Sequence, residues 1–370
     1  MNSFKKNKNL KNKIILFCLI LINCLLFLFP SFIKADHVKN DHISKILTNN
    51  NEPEGDQKNT EIPVVFATDN NYVYPTIVAI NSMVLNKNED TICDVHVLTD
   101  ETVTEENKEK LMSLKQEKVN IKIVDMGNLY DGFYTGVIKS KVVYYRLKLA
   151  SALSDINKCI FLDSDVLVLK DLSEMFNIDI KDYYVAGVAE NSKKIDMFKE
   201  SKYIYLGGNI FNLDKIREEK IEEKFDKLIE ENNLKKNYRL ADQDIINKIC
   251  HKKMLNIPMK YNVMAAFTKY ANKETKIPRC YSSEEWHEGI TRPVILHFIN
   301  DKPWCGFKVP CQRAWFRYAE KTKFFDEIFK FCLEKTKERF NKIINNRDKL
   351  APKDVDFGNC GYIEPKDDAA

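Results

Sequence analysis

The sequence predicts an α/β fold with a mostly parallel central sheet and helices on both faces. Three observations predict it. Short apolar runs of strand length alternate with segments of helical length and pattern. The chain has 370 residues, 44% hydrophobic and 30% charged, enough for a sizeable core. Clusters of carboxylate, amide and aromatic side chains directly follow several apolar runs, where sheets of this kind bind ligands.

Residues 62–67 read as an apolar strand. Residues 75–86 read as a helix, with Pro75 tolerated in its first turn. A strand follows at 94–98. Thr102 and Glu105 have capping-box spacing and predict a helix to about residue 117. Residues 119–124 form the next strand, 140–153 a helix, and 159–162 a buried strand. Strands are expected at 183–189 and 204–213, a charged amphipathic helix at 214–232 and a shorter one at 241–249. From 316 to about 345 the pattern is helical and lysine-rich, that of a solvated surface helix. The last stretch reads as loose.

The N-terminus reads as a targeting segment. Residues 1–13 hold Lys5, Lys6, Lys8, Lys11 and Lys13, and 14–33 carry no charge. A helix of that length spans about 30 Å, a bilayer core. Basic residues before an apolar run keep the N-terminus cytoplasmic and send the rest across. A signal anchor is one expectation, and a signal peptide cut after Ala35 is the other. The body is thus expected to be exported. It would be a type II membrane protein of the secretory pathway (Golgi or ER lumen) or, after cleavage, secreted or lumenal. The boundaries that follow are 1–13, 14–33, a polar stem at 36–60, a catalytic domain at 61–320, and a C-terminal helix and tail at 321–370.

Charge excludes one class of partner. The chain has 58 basic and 54 acidic residues, a net +4. Residues 1–35 hold six lysines and no acid, so the remainder has 52 basic against 54 acidic residues. A folded body without basic excess is not that of a nucleic-acid binder. Of ten cysteines, two lie in the apolar run. Disulfides and buried free thiols both remain open for the other eight, with Cys305–Cys311 the pair to test first.

The chemistry lies after the strands. The first strand ends in Ala67-Thr68-Asp69-Asn70-Asn71-Tyr72. Asp and Asn can bond the edge of a planar heterocycle while Tyr stacks on its face, although an Asx turn explains the same letters. The run 159–162 ends in Asp163-Ser164-Asp165. Two carboxylates, two residues apart on extended backbone, can point one way, and a hard cation such as Mn²⁺ or Mg²⁺ relieves their repulsion. Phosphatases of the haloacid dehalogenase type use the same signature, with Asp163 as nucleophile and Asp165 as acid. His297, after the run 294–296, completes a ligand set for Mn²⁺, and Lys302 can hold a phosphate.

Taken together these clusters resemble the retaining glycosyltransferases of family 8, over roughly residues 62–320. The motifs are F-A-T-D-N-N-Y (66–72), Y-Y-R-L (144–147), D-S-D (163–165), Y-L-G-G-N-I-F-N-L (205–213), A-D-Q-D-I-I-N (241–247) and H-F-I-N-D-K-P-W (297–304), in family order. The resemblance implies a GT-A fold, a UDP-sugar donor, Mn²⁺ (with Mg²⁺ as an alternative), and an acceptor hydroxyl on a glycan, lipid or protein. It implies that Ala67, Asp69, Asn71 and Tyr72 hold the nucleoside. Asp163, Asp165 and His297 would bind the metal, with Ser164 in the donor-binding group. Lys302 would meet the diphosphate. Arg146, Asp242 and Gln243 would line the sugar pocket, with Gln243 nearest the anomeric carbon. Three positions depart from the family pattern: Tyr205-Leu206 precedes Gly207 where Asn is common, Glu190 stands for Asp, and Asn300 stands for Gly. A catalytically silent binding module of the same fold is the alternative.

Overall fold

The computed structural model describes residues 59–190, 201–270, 277–306 and 309–347. The basic and apolar N-terminal segments, the stem up to residue 58 and everything beyond 347 lie outside the described residues. The first half is built by parallel crossovers. Strand β1 (Thr60–Thr68) leads into helix α1 (Val73–Asn86), strand β2 (Thr91–Thr99), helix α2 (Glu105–Met112) and strand β3 (Val119–Asp125). Along β1, Val64 and Phe66 pack on one side of the sheet and Val65 on the other, as a two-residue repeat requires. Both faces of β1 are covered, so residues 62–67 are apolar throughout, whereas edge strand β3 alternates, with Asn120 and Lys122 exposed.

Strands β4 (Lys158–Leu162), β5 (Val166–Val168), β6 (Val185–Val188), β7 (Gly208–Asn212), β8 (Met254–Ile257), β9 (Val263–Met264) and β10 (Ile295–His297) complete two sheets. The larger has the order β3-β2-β1-β4-β7-β6-β8 and the smaller β5-β10-β9. Pairing is parallel from β3 to β4 and between β6 and β8, while β7 runs antiparallel to both its neighbours. The expected mostly parallel sheet is therefore present, with one reversed strand.

Local differences have local causes. Thr102 is not the cap of α2: Thr104 is, its Oγ1 accepting from Asn107 N at 3.2 Å. Thr102 is taken by Asp100, to whose Oδ1 its hydroxyl donates at 2.6 Å. Residues 140–153 form a 3-10 helix, Lys141–Lys148, and a single α turn, Leu149–Ala152. The expected strand at 204–213 shrinks to β7: Gly207 at φ +107° breaks the extended backbone before it, and Asn212 caps the next helix through Lys215 N at 3.0 Å. The helix expected at 214–232 is two, α3 (Leu213–Glu218) and α4 (Ile221–Lys235), separated by Lys220 at φ +50°. Helix α5 (Ala241–Cys250) follows, then α6 (Gln312–Glu320) and α7 (Phe325–Arg347). Ile328, Phe331 and Cys332 of α7 are buried, so this helix is docked and not merely solvated. The seven described cysteines, Cys305 and Cys311 among them, are free thiols. The Cys311 sulfur instead lies 3.2 Å from Thr268 Oγ1.

Candidate active site at the seam of the two sheets

The chain changes sheets at the Asp163-Ser164-Asp165 turn. Central strand β4 ends at Leu162, and Asp163 N donates to Gly207 O at 3.1 Å. Three residues on, β5 pairs antiparallel with β10, Val166 facing His297. Phe298 N donates to Asp165 O at 2.9 Å. The carboxylates therefore converge through a turn between sheets. Strand alternation alone, the basis of the sequence reading, does not bring them together. Ligand atoms of Asp163, Asp165 and His297 lie within 4.8 Å of one another.

Hydrogen bonds fix the histidine tautomer. Asn262 Nδ2 donates to the Leu206 carbonyl at 3.1 Å. A carbonyl only accepts, so Asn262 turns its Oδ1 toward His297 Nδ1, 2.9 Å away. A proton therefore sits on Nδ1, and Nε2 lies 3.1 Å from Asp165 Oδ1 and 3.6 Å from Asp163 Oδ2, the nitrogen that would turn a lone pair to a bound cation. One imidazole nitrogen and two carboxylates facing one point could hold a divalent cation, and such a donor set suits a hard or borderline ion. Gly207 makes room for it. At φ +107°, a Cβ there would fall 2.8 Å from both Asp163 Oδ2 and His297 Nδ1.

Cations surround the cluster. Lys302 Nζ bonds Asp165 Oδ2 and donates to Phe298 O at 2.8 Å. Burial pushes the Asp165 carboxyl up, but Lys302 and His297 outweigh it and hold it well below the usual carboxylate range. Arg146 is buried, with Nη2 2.5 Å from Asp163 Oδ1, Nε 2.9 Å from Asp242 Oδ2, and its guanidinium 4.4 Å from the centre of the Phe161 ring. Burial pushes the Asp242 carboxyl up to about 7, with Arg146 opposing and Asp163 adding. Arg146 Nη1 and Asp242 Oδ1 are buried with no protein partner. Gln243 is held at both ends: its Nε2 donates to Glu190 at 2.7 Å and its Oε1 accepts from Leu206 N at 3.3 Å.

The Asp69–Tyr72 turn lies alongside. Asp69 accepts from Asn71 N at 2.9 Å and from Ser140 Oγ at 3.0 Å, so the Asx turn is present as well. Burial raises its carboxyl, and the Ser140 bond offsets part of that. Ser164 Oγ donates to Ala67 O at 3.1 Å and accepts from Thr76 at 2.7 Å, tying β1 to α1. Tyr72 meets Trp304 edge-on, ring centres 5.7 Å apart. A cleft of about 560 Å³ opens here, walled by Asp69, Asn71, Asp100, Tyr130, Phe133 and Ser140. The structure thus gathers Asp163, Asp165, His297, Lys302, Arg146, Asp242 and the Asp69–Tyr72 turn at the carboxyl ends of the central strands. Sequence reasoning missed Asn262 and Ser140. Asn262 carried a signal, an amide entering an apolar strand, while Ser140 carried none.

Fold and site together define a glycosyltransferase of the GT-A class. The likeness in fold extends to the solved structure of the galactosyltransferase LgtC in complex with donor and acceptor sugar analogs. The TM-score is 0.58 at 24% identity, over 70% of this chain and 94% of that one. The model of the family Glycosyl transferase family 8 matches residues 63–306, and the chain belongs to that family. Relatives include General stress protein A of Bacillus subtilis, 26% identical over 72% of this chain and 96% of that protein. Glycosyltransferase GlyB of Streptococcus pneumoniae is 26% identical over 65% of this chain, which spans 57% of it. The family assignment removes the phosphatase reading of Asp163. It also corrects the expected location. These relatives are bacterial, and bacteria have no Golgi or ER lumen, so a type II secretory-pathway placement is overturned. Among the described residues no helix is long and apolar enough to cross a membrane.

Proposed function

We propose that this glycosyltransferase moves a sugar from a UDP-linked donor to an acceptor hydroxyl on a glycan, lipid or protein, with retention and with Mn²⁺. The observation that carries the reading is the convergence of Asp163, Asp165 and His297 on one point beside Lys302 and the Asp69–Tyr72 turn. Asp163, Asp165 and His297 would hold the ion, which when bound supplies Lewis-acid charge to the leaving diphosphate. Lys302 adds a fixed positive charge there. The cleft beside Asp69 and Asn71 has room for a base. The partnerless Arg146 Nη1 and Asp242 Oδ1 offer a donor and an acceptor to sugar hydroxyls. Gln243 contributes an amide, a poor nucleophile, held between Glu190 and Leu206. That favours attack on the front face, assisted by the leaving group, over a covalent intermediate.

A panel of UDP-sugars incubated with the full chain, with Mn²⁺ or with EDTA, tests this by UDP release. Transfer is expected for one donor, abolished by EDTA and by Asp163→Ala or Asp165→Ala. An inverted product anomer would refute retention. UDP binding with turnover of no donor would favour the silent binding module.

A further inference from the structure

We infer that Lys335 and Arg339 of α7 are positioning residues for the donor. They form a clasp that joins the two loops carrying the nucleoside and diphosphate contacts. The inference rests on reading those loops as the donor site. Helix α7 lies wholly beyond the residues 63–306 that the family model matches. Its N-terminal half is docked: Glu327 accepts from Tyr74 OH at 2.9 Å and pairs with Lys110 at 2.6 Å. Phe331 lies against Tyr74, ring centres 5.4 Å apart. Tyr74 belongs to α1, just after the Asp69–Tyr72 turn.

The clasp comes farther along the same helix. Lys335 and Arg339 are four residues apart and so share one face. Lys335 Nζ donates to Asn71 Oδ1 at 3.4 Å. Arg339 Nη2 donates to Asp301 Oδ1 at 2.8 Å, and Nη1 to Cys305 O at 3.4 Å. Asp301 and Cys305 flank Lys302-Pro303-Trp304 on both sides. The two loops meet each other only a short way off, where Tyr72 abuts Trp304. One helix face therefore brackets the junction between the loop bearing Asp69, Asn71 and Tyr72 and the loop bearing Lys302.

Exposure decides what this contact can do. The Arg339 and Asp301 side chains remain 39% and 61% exposed, so their pair adds little to folding stability. It can still narrow the range of a loop whose lysine must meet a diphosphate. A binding loop held in place loses less freedom when the ligand arrives. Arg339 and Lys335 should therefore show themselves in donor affinity and loop protection, with the melting temperature unmoved.

The experiment uses the full chain, UDP with MnCl₂ as the probe, titration calorimetry and amide hydrogen exchange. Arg339→Asp replaces attraction to Asp301 by repulsion. It is expected to weaken UDP binding by about threefold to tenfold and to speed exchange across residues 298–306 in unliganded protein. The double variant Asp301→Arg/Arg339→Asp is expected to restore both in part, since the bond to Cys305 O is not remade. Lys335→Ala should weaken UDP by roughly twofold to threefold, and Lys335→Arg should not. Wild-type affinity and exchange in Arg339→Asp, or a double variant no better than the single, would overturn the clasp. Faster exchange in Arg339→Asp beside a wild-type chain that binds no UDP would overturn the donor reading instead, leaving the tie between helix and loop standing.

Discussion

Replacing Asn262 by Leu is the sharpest test of the candidate metal cluster, because Asn262 would not bind the ion itself yet holds His297, which would. Asn262 is 3% exposed and spans His297 Nδ1 and Leu206 O. Leucine is close in size, so the change removes two hydrogen bonds and little volume. Each stranded partner costs about 1–3 kcal/mol when buried without a bond. The imidazole also loses the contact that keeps its proton on Nδ1 and its Nε2 lone pair toward Asp163 and Asp165. Loss of such a supporting bond lowers metal affinity by about tenfold to a hundredfold. Expected, then, are a destabilisation of about 2–6 kcal/mol in denaturant unfolding and a drop of about tenfold to a hundredfold in Mn²⁺ affinity, read by electron paramagnetic resonance without nucleotide. Asn262→Asp should bind Mn²⁺ better than Asn262→Leu, since a carboxylate still accepts from Nδ1. Asn262→Leu with wild-type Mn²⁺ affinity would refute the tautomer argument.

Three further outcomes follow from other contacts. Gly207→Ala should cost about 1–3 kcal/mol from positive φ alone. It should also cut Mn²⁺ binding, because the new Cβ presses on Asp163 and His297; a variant as stable as wild type would disprove the cradle. Arg146→Met leaves Asp163 and Asp242 facing each other and should destabilise by about 3 kcal/mol, with Arg146→Lys recovering only part, as measured by urea midpoints. Glu219 pairs with Lys253 at 2.5 Å and with Tyr184, and its carboxyl is lowered to about 2, chiefly by the Lys253 contact. A depressed acid stabilises the fold above its unfolded value of about 4.3 and loses that contribution as pH falls toward 2. Wild type should therefore out-melt Glu219→Gln at pH 6, with the advantage shrinking from about pH 4 and mostly gone by about pH 2; a gap constant across that window would contradict the pairing.

Much of the fold was legible because its signals are local. Strands β1 and β4 are apolar runs between polar turns, β3 alternates with the strand period, and α1 carries its periodicity in consecutive residues. The misreadings share a cause. Nothing in the letters marks Lys220 for positive φ, so α3 and α4 read as one helix. The letters favour Thr102, with Glu105 three residues on, over Thr104, but Asp100 takes the Thr102 hydroxyl and leaves the cap to Thr104. The site was legible wherever a polar group interrupts an apolar strand, as at Asp163, Asp165 and His297. Ser140 sits among other polar residues and is picked out only by its bond to Asp69.

Sequence alone therefore determined the class of fold, the family motifs and the kinds of ligand atom present, since each is written in neighbouring residues. Tertiary structure decided how they meet. Asp165 and His297 are 132 residues apart, and only the antiparallel pairing of β5 with β10 sets them side by side. Asn262 becomes the partner of His297 because β9 lies next to β10. The reach of α7 to Asn71 spans 264 residues. Contacts of that separation arise from the burial of whole sheets and helices against one another, which no local pattern encodes.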